Sequence, residues 1–244
     1  MRCLVIIPTF LEAENVEEAL RRARAALPEG HILVVDDNSS DGTAAVVEVV
    51  AAELGAIDLL RQPAKAGLGN AYRSGFAWGF ERGFDVLCQM DADLSHDPAA
   101  LRELLARIED GADVAVGSRY VPGGSIPHWP PHRRALSRYG NRYAAFALGL
   151  PVHDVTSGYR AYRRALLDSI DIASTRATGY GFQVELAYRA AIVGGRIDEV
   201  PITFTDRTRG QSKMSARIIV EAMGLVTWWA IRDRVFRRRA RWRS

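Results

Sequence analysis

Two aspartates separated by a single residue, Asp91 and Asp93, follow the apolar run Val86 to Met90, which carries no charge after Asp85. In an extended segment residues i and i+2 point the same way, so the two carboxylates can converge on one hard cation or on groups that such a cation bridges. Aspartates are also common in turns and helix caps. Asp97 is the better cap, because it stands directly before Pro98 and proline suits the first helical position, which leaves Asp91 and Asp93 without a structural duty. A second acidic pair, Asp36 and Asp37, ends another apolar run. Adjacent acids repel unless a ligand or partner compensates. Asn38, Ser39 and Gly42 could make that turn unaided, and a carboxylate there can accept from the N–H groups of a nucleobase.

The basic residues carry the opposite logic. Arg119, Arg133, Arg134, Arg207, Arg209 and Lys213 fall in loops or at helix starts near expected strand ends, where a phosphate ligand needs donors. Any one of them alone reads as part of a solvated face. Beside the acids they describe a pocket for a metal and a diphosphate. Other chemistries are disfavoured. The five histidines show no His-Glu-x-x-His spacing, against catalytic zinc, and there is no Gly-x-Ser-x-Gly elbow. No glycine lies between Ile7 and Val16, and no Gly-Lys-Ser/Thr occurs, which argues against a dinucleotide fingerprint and a P-loop. A nucleophile would then belong to a substrate.

The elements that position these residues are read from hydrophobic period. Cys3 to Ile7 is a continuous apolar run, and His31 to Val35, Ile57 to Leu60, Val86 to Met90 and Val114 to Val116 resemble it, as strands buried on both faces should. Helices are expected between them: Asn15 to Ala26, with Asn15 as N-cap and Glu18 three residues on, then Gly42 to Leu54, Gly69 to Glu81 and Pro98 to Glu109. This alternation implies an α/β fold, a doubly wound and mostly parallel sheet with helices on both faces. Such sheets bind ligands at the carboxyl ends of their strands, which is where the acids lie. The second half is less regular, with an expected helix over Arg133 to Leu148, a short strand over Gly158 to Tyr162, a helix over Gly181 to Val193 and a final strand over Glu199 to Thr205. A C-terminal amphipathic helix follows, its stripe made of Ile218, Ile219, Ala222, Leu225, Val226 and Trp229, with Trp228 at the edge.

The chain has 244 residues, 48% of them hydrophobic and 25% charged, which excludes disorder and fibrous classes and allows one large core. Its two cysteines, Cys3 and Cys88, lie in apolar runs, so no disulfide framework or cysteine zinc site is expected, and a reducing cytosol fits. The net charge of +3 conceals an asymmetry: residues 232–244 hold seven arginines against Asp233, which leaves the other 231 residues slightly acidic. No nucleic-acid partner is therefore expected. The first apolar run is too short for a signal peptide. The late uncharged stretch Ala222 to Ile231 has ten residues where a spanning helix needs about 20. The expected division is a catalytic domain over 1–214 and an arginine-rich membrane-interface helix and tail over 215–244, the tryptophans at headgroup depth and the arginines against anionic lipid.

Eight segments in order, PTFLEAEN, VVDDNSSDGT, KAGLGNAYRSG, DADLSHDP, GSRYVPGG, TSGYRAY, GYGFQVEL and DRTRGQSKM, resemble the polyprenol (dolichol) phosphate mannose synthases, which are inverting GT-A glycosyltransferases. The resemblance spans roughly residues 2–230. It implies a GT-A fold and transfer of mannose from GDP-mannose to polyprenyl phosphate, giving a β-phosphomannose and GDP. It further implies Mg²⁺ or Mn²⁺ and a peripheral position on the cytoplasmic face of the membrane, with a membrane protein as a possible further partner. By the same resemblance Pro8, Phe10, Glu12, Val35 and Asp37 line the guanosine side, Phe10 standing where the family often has tyrosine. Asp91, Ala92 and Asp93 hold the sugar diphosphate, with Asp93 and Ser95 as metal ligands, Ser95 standing where some members have glutamine. Arg119, Arg207 and Lys213 match phosphate-contacting positions, and Asp91, Asp93, Arg119 and Lys213 make the catalytic set.

Arg133 and Ser137, with Arg119, match the positions that receive the lipid phosphate, and their spacing of four puts Arg133 and Ser137 on one helix face. Asp154, before TSGYR, is an orienting carboxylate or a turn acid. No protein base is required, because a phosphate monoester with a second pKa of about 6 is already largely dianionic at pH 7. Two other functions stay open: transfer of glucose from UDP-glucose to the same lipid phosphate, and a catalytically silent module that binds nucleotide or a membrane protein.

Overall fold

The computed structural model describes residues 1–175, 177, 179–206 and 223–232. The apolar runs form the strands β1 (Cys3–Thr9), β2 (His31–Asp36), β3 (Ile57–Arg61), β4 (Val86–Gln89) and β5 (Val114–Ser118). The helices α1 (Val16–Ala26), α2 (Thr43–Leu54), α3 (Leu68–Glu81) and α4 (Leu101–Glu109) alternate with them. The rest comprises α5 (Pro131–Leu148), β6 (Arg160–Arg163), α6 (Arg164–Ser169), α7 (Tyr180–Ile192) and β7 (Ile197–Pro201). One seven-stranded sheet runs β3-β2-β1-β4-β6-β5-β7. Every pairing is parallel except those of β6, which is antiparallel to both β4 and β5.

Strict alternation along β1 explains why its run is unbroken. Cys3, Val5 and Ile7 enter a core with α1, α2 and α4, whereas Leu4 and Ile6 enter another with α3, α6 and α7. Gly75 and Gly79 let α3 press close: a Cβ on either would stand 2.6 Å from Ile6 or 2.7 Å from Leu87. Since β2 and β3 lie on one side of β1 and β4 on the other, the strand order reverses between β1 and β4, where a crevice opens at the carboxyl ends of such sheets.

Several expectations need correction. Asn15 holds the N-cap position without capping; its amide donates to Glu12 Oε2 at 2.9 Å, because a turn in which Glu12 O accepts from Asn15 N and Val16 N draws it backward. Glu18 pairs with Arg22 instead of closing a capping box. Asp97 does cap, accepting from Ala99 N at 3.0 Å, over a 3₁₀ turn (Pro98–Ala100) that precedes α4. The last strand ends at Pro201, not Thr205: after a single bridge from Thr203 to Ser125 the chain leaves the sheet, and Thr205 N donates to Ser95 O at 3.2 Å. The short strand begins at Arg160, which keeps Gly158 in the loop beside Asp91.

Residues 223–232 are helical. Val226 and Trp229 are buried, Trp229 stacking on Tyr188 at 5.7 Å, so this part of the expected interfacial stripe packs on the body. Met223, Trp228 and Ile231 are its exposed apolar residues. The boundary at 214/215, with Ile218, Ile219 and Ala222, lies outside the described residues, as does the arginine tail from Asp233 onward. No helix among the described residues is long and apolar enough to cross a membrane.

Candidate active site

Three loops at the carboxyl ends of β1, β2 and β4 carry most of the expected residues. Each contains a non-glycine residue in the left-handed region: Leu11 (φ 55°), Asn38 (φ 62°) and Leu94 (φ 62°). Asparagine tolerates that conformation but leucine resists it, and such strain gathers where a loop is shaped for a ligand.

The β2 loop is built on its two acids. Asp36 accepts from Thr9 Oγ1 (2.9 Å), Ser39 N (2.9 Å) and Ser39 Oγ (2.6 Å). Asp37 accepts from Ala66 N and Gly67 N, both at 2.8 Å, and so holds the start of KAGLG against the β1–β2 edge. The mutual repulsion of the pair is thus answered by protein donors, a structural duty that the sequence did not reveal. Lys65 stands over the Phe10 ring at 3.8 Å, a cation–π contact that draws the β1 and β3 loops together. Glu12 is buried, its N–H on Thr43 Oγ1 at 3.0 Å. Pro8 is half-buried, and Val35 is sealed in the sheet.

Asp91 and Asp93 do not share a strand face, because β4 ends at Gln89 and the chain bends after it. Asp91 turns toward α3, where the Tyr72 hydroxyl lies 3.5 Å from Oδ1; burial, with Asp91 nearby, pushes Tyr72 well above the usual tyrosine range, so it stays a donor. Asp91 N donates to His96 Nδ1 at 3.4 Å, and His96 stacks on Tyr159 at 4.7 Å. Asp93 is buried and accepts from Ser95 N at 3.0 Å. Asp93 therefore has a turn duty as well, contrary to expectation. Ala92 is buried between the two acids. Ser95 Oγ is buried with no hydrogen-bond partner among the described residues.

No three histidines, cysteines or acids cluster as a metal cage among the described residues. Oxygen donors on Asp93 and Ser95 nevertheless fit a hard cation that takes its remaining ligands from phosphate and water, as Mg²⁺ commonly does, and the orphaned Ser95 Oγ is the atom such a cation would satisfy.

The wall after β5 is anchored by one buried ion pair. Arg119 donates through Nε and Nη2 to both oxygens of Asp154, each at 2.7 Å, and through Nη2 to Thr156 Oγ1 at 2.9 Å; its backbone N also donates to Asp154. Asp154 is fully buried, so it orients Arg119 rather than making a turn. Arg133 Nη1 donates to Asp206 Oδ1 at 3.1 Å, and its guanidinium lies 3.9 Å over Trp129. Ser137 accepts from the Tyr120 hydroxyl at 2.6 Å, one turn further along α5. Arg207 and Lys213 lie outside the described residues. His96, Tyr72, Lys65 and Asp206 were not identified as working parts from sequence, and only the motifs that contain them could have pointed there; Asp154 was expected as an orienting carboxylate or a turn acid, without Arg119 as its partner.

A strand-end acid loop facing a cationic wall on a doubly wound sheet is the arrangement of a nucleotide-sugar transferase of GT-A fold. Residues 4–171 match the family model described as Glycosyl transferase family 2. The chain is 50% identical over 239 residues to the polyprenol monophosphomannose synthase of Mycolicibacterium smegmatis, covering 98% of this chain and 90% of that one. It is 48% identical to the undecaprenyl-phosphate mannosyltransferase of Micrococcus luteus, covering 96% of each. Among solved structures it resembles a mannosyltransferase from Pyrobaculum calidifontis in complex with GDP-Man and Mn²⁺, with a TM-score of 0.60 and 17% identity, over 86% of this chain and 58% of that one. The chain belongs to glycosyl transferase family 2, and it is a glycosyltransferase of GT-A fold.

Proposed function

We propose that this enzyme transfers mannose from GDP-mannose to the phosphate of a polyprenyl phosphate, with inversion, at the cytoplasmic face of a membrane. The observation that carries the reading is near-full-length identity of about half to two enzymes named for mannosyl transfer to polyprenyl phosphates. The strained acid loops and the cationic wall agree with it.

In this reading Pro8, Phe10, Glu12, Val35 and Asp37 face the guanosine, and Asp91, Ala92 and Asp93 face the sugar diphosphate. A phosphate oxygen of the acceptor attacks the anomeric carbon as the bond to the diphosphate breaks and its electron pair leaves with GDP. No protein base is needed, since the attacking phosphate is already ionised at neutral pH. Arg119, locked by Asp154, supplies a fixed positive charge between donor and acceptor, and Arg207 and Lys213 are assigned to the departing diphosphate. Asp93 and Ser95 would hold Mg²⁺ or Mn²⁺, which supplies charge neutralisation to the leaving group when bound. Arg133 and Ser137 would receive the lipid phosphate.

The helix that bears them supports a membrane surface as partner. Leu136, Tyr139 and Phe146 are 58%, 72% and 82% exposed on α5, with exposed Arg138 and Arg142 between them, and the last helix, joined to α5 by Tyr143 and Thr227 at 2.7 Å, exposes Trp228 and Ile231. Apolar and aromatic residues interleaved with arginines suit a lipid headgroup layer. The deciding experiment follows GDP release from GDP-mannose, and UDP release from UDP-glucose, with a short polyprenyl phosphate. Faster release of GDP supports the proposal. Release of UDP alone makes the enzyme a glucosyltransferase, and release of neither makes it a binding module.

A further inference from the structure

On the α3 and α7 side of the acid loop lie two side chains to which the reaction above gives no work. Gln89 ends β4 and Gln183 lies in the first turn of α7. They are 0% and 1% exposed. Both polar atoms of each side-chain amide lack a hydrogen-bond partner among the described residues. Leaving one buried amide unbonded is costly, and native proteins do so rarely. A buried amide left in this state marks a place where something polar enters.

Where it enters is given by Gly158. A Cβ on this residue would stand 3.7 Å from Gln183 Nε2 and 3.8 Å from each carboxylate oxygen of Asp91, so the amide and the acid flank one space that glycine keeps open. The buried Arg160 fixes the frame around it. Arg160 Nη1 donates to Gln183 O at 2.9 Å, Nε to Ser157 O at 2.8 Å and Nη2 to Val155 O at 2.6 Å. In the β4–β6 pairing Gln89 is the register partner of Arg160 itself. Arg160 thus holds the backbone of Gln183 through its side chain and pairs across the sheet with Gln89 through its main chain.

The chemistry of the space selects its ligand. Each amide offers donors and an acceptor without net charge, which suits hydroxyl groups that both give and take hydrogen bonds. A phosphate would call for cations, and an isoprenoid chain would call for apolar walls. Resting on the proposed reaction, we propose that Gln183, supported by Gln89, hydrogen-bonds ring hydroxyls of the donor hexose and thereby determines which nucleotide sugar is accepted. A site built to bond a hydroxyl discriminates strongly against ligands that present none in that place.

The test compares wild type with Gln183→Leu, and with Gln183→Met, unbranched like glutamine, should the leucine variant fold poorly. Affinities for GDP and GDP-mannose are measured by calorimetry, and KM by transfer to a short polyprenyl phosphate from GDP-mannose and from UDP-glucose. The expected result is a tenfold or greater rise in KM for whichever nucleotide sugar the wild type uses. Affinity for the free nucleoside diphosphate should stay within twofold, and the thermal midpoint should not fall, since an unbonded amide has been removed. An unchanged KM would mean that the amides hold only water, and an equal loss of diphosphate affinity would make Gln183 part of the fold; either overturns the proposal while the transferase reading stands. A wild type that transfers from neither sugar overturns that reading and this proposal with it.

Discussion

The loops after β2 and β4 hold their shape through short acids that accept from backbone N–H groups: Asp37 from Ala66 and Gly67, Asp93 from Ser95, Asp97 from Ala99. The wall after β5 relies instead on ions distant in sequence: Arg119 with Asp154 and Arg133 with Asp206. The first kind of bond contributes about 0.5–1.5 kcal/mol each, or roughly 1.5–3 where the acceptor is charged, and can be exchanged for bonds to a ligand. A buried ion pair adds little net stability yet costs about 3–5 kcal/mol to break, because one charge is left stranded. The acid loops are therefore adaptable, whereas the wall is rigid but brittle at Arg119 and Asp154, where both partners are buried.

The largest effect should come from breaking that wall. Asp154→Ala strands Arg119, whose side chain is only 7% exposed, and should lower unfolding free energy by about 3–5 kcal/mol in a urea titration. The double variant Arg119→Met, Asp154→Leu should recover most of the loss while staying inactive. A loss under about 1 kcal/mol for Asp154→Ala would erase the contrast, since it would make the pair equivalent to an exposed one.

On the donor side, Asp93→Asn should separate fold from function. The asparagine oxygen can still accept from Ser95 N, so the melting temperature should hardly move. Its neutral amide is a poor ligand for a hard cation, and kcat should fall by about 10²–10³-fold, the scale seen when one charge-stabilising group is removed. Near wild-type turnover with unchanged metal dependence would remove Asp93 from the site.

The same contrast explains what could be read from sequence. The first four strands and helices come out within a few residues of expectation because each is decided by its own period, down to Asp97 capping before Pro98. The acid loops were locatable because a doubly wound sheet puts strand ends at the ligand. Their inner bonds were not: Asp37 reaches a backbone about 30 residues away, and no local pattern encodes that. Beyond β5 the insertion of β6 between β4 and β5, the exit of the chain after Pro201 toward Ser95, and the pairing of Arg119 with Asp154 are all long-range outcomes. Arginine at 119 looked like a phosphate donor by type, while its commitment to Asp154 required the fold. Gln183 escaped notice because a glutamine early in a helix is ordinary until its surroundings leave it unbonded.

A smaller effect should follow from Asp37→Ala, which frees Ala66 N and Gly67 N and loosens the KAGLG segment. The carboxylate accepts two N–H groups, but both are only partly buried and water can replace much of the bonding, so a stability loss of about 1.5–3 kcal/mol is expected. If the same carboxylate also faces the base, GDP affinity should drop about tenfold, equivalent to 1.4 kcal/mol, while Asp93-dependent metal binding persists. Calorimetry with GDP checks this, and unchanged affinity would confine Asp37 to its structural duty.

The smallest effect on activity, and the sharpest separation of the two sides, is expected at Arg133. Its pair with Asp206 is solvent-accessible, the two side chains being 33% and 42% exposed, so losing it should cost no more than about 1 kcal/mol. The cation–π contact with Trp129 at 3.9 Å adds on the order of 0.5–1 kcal/mol at an exposed site. Arg133→Ala should therefore melt within a few degrees of wild type. What it should lose is a donor for the acceptor phosphate: KM for polyprenyl phosphate rises about three- to tenfold, while KM for GDP-mannose and affinity for GDP stay constant. Arg133→Lys should restore little, because a point charge on a flexible stem replaces neither the planar fork nor its stacking on the indole. If donor and acceptor constants instead rose together, the arginine would be holding Asp206, and through the adjoining Thr205 the Ser95 loop, rather than the lipid phosphate, and the two walls of the site would be one mechanical unit.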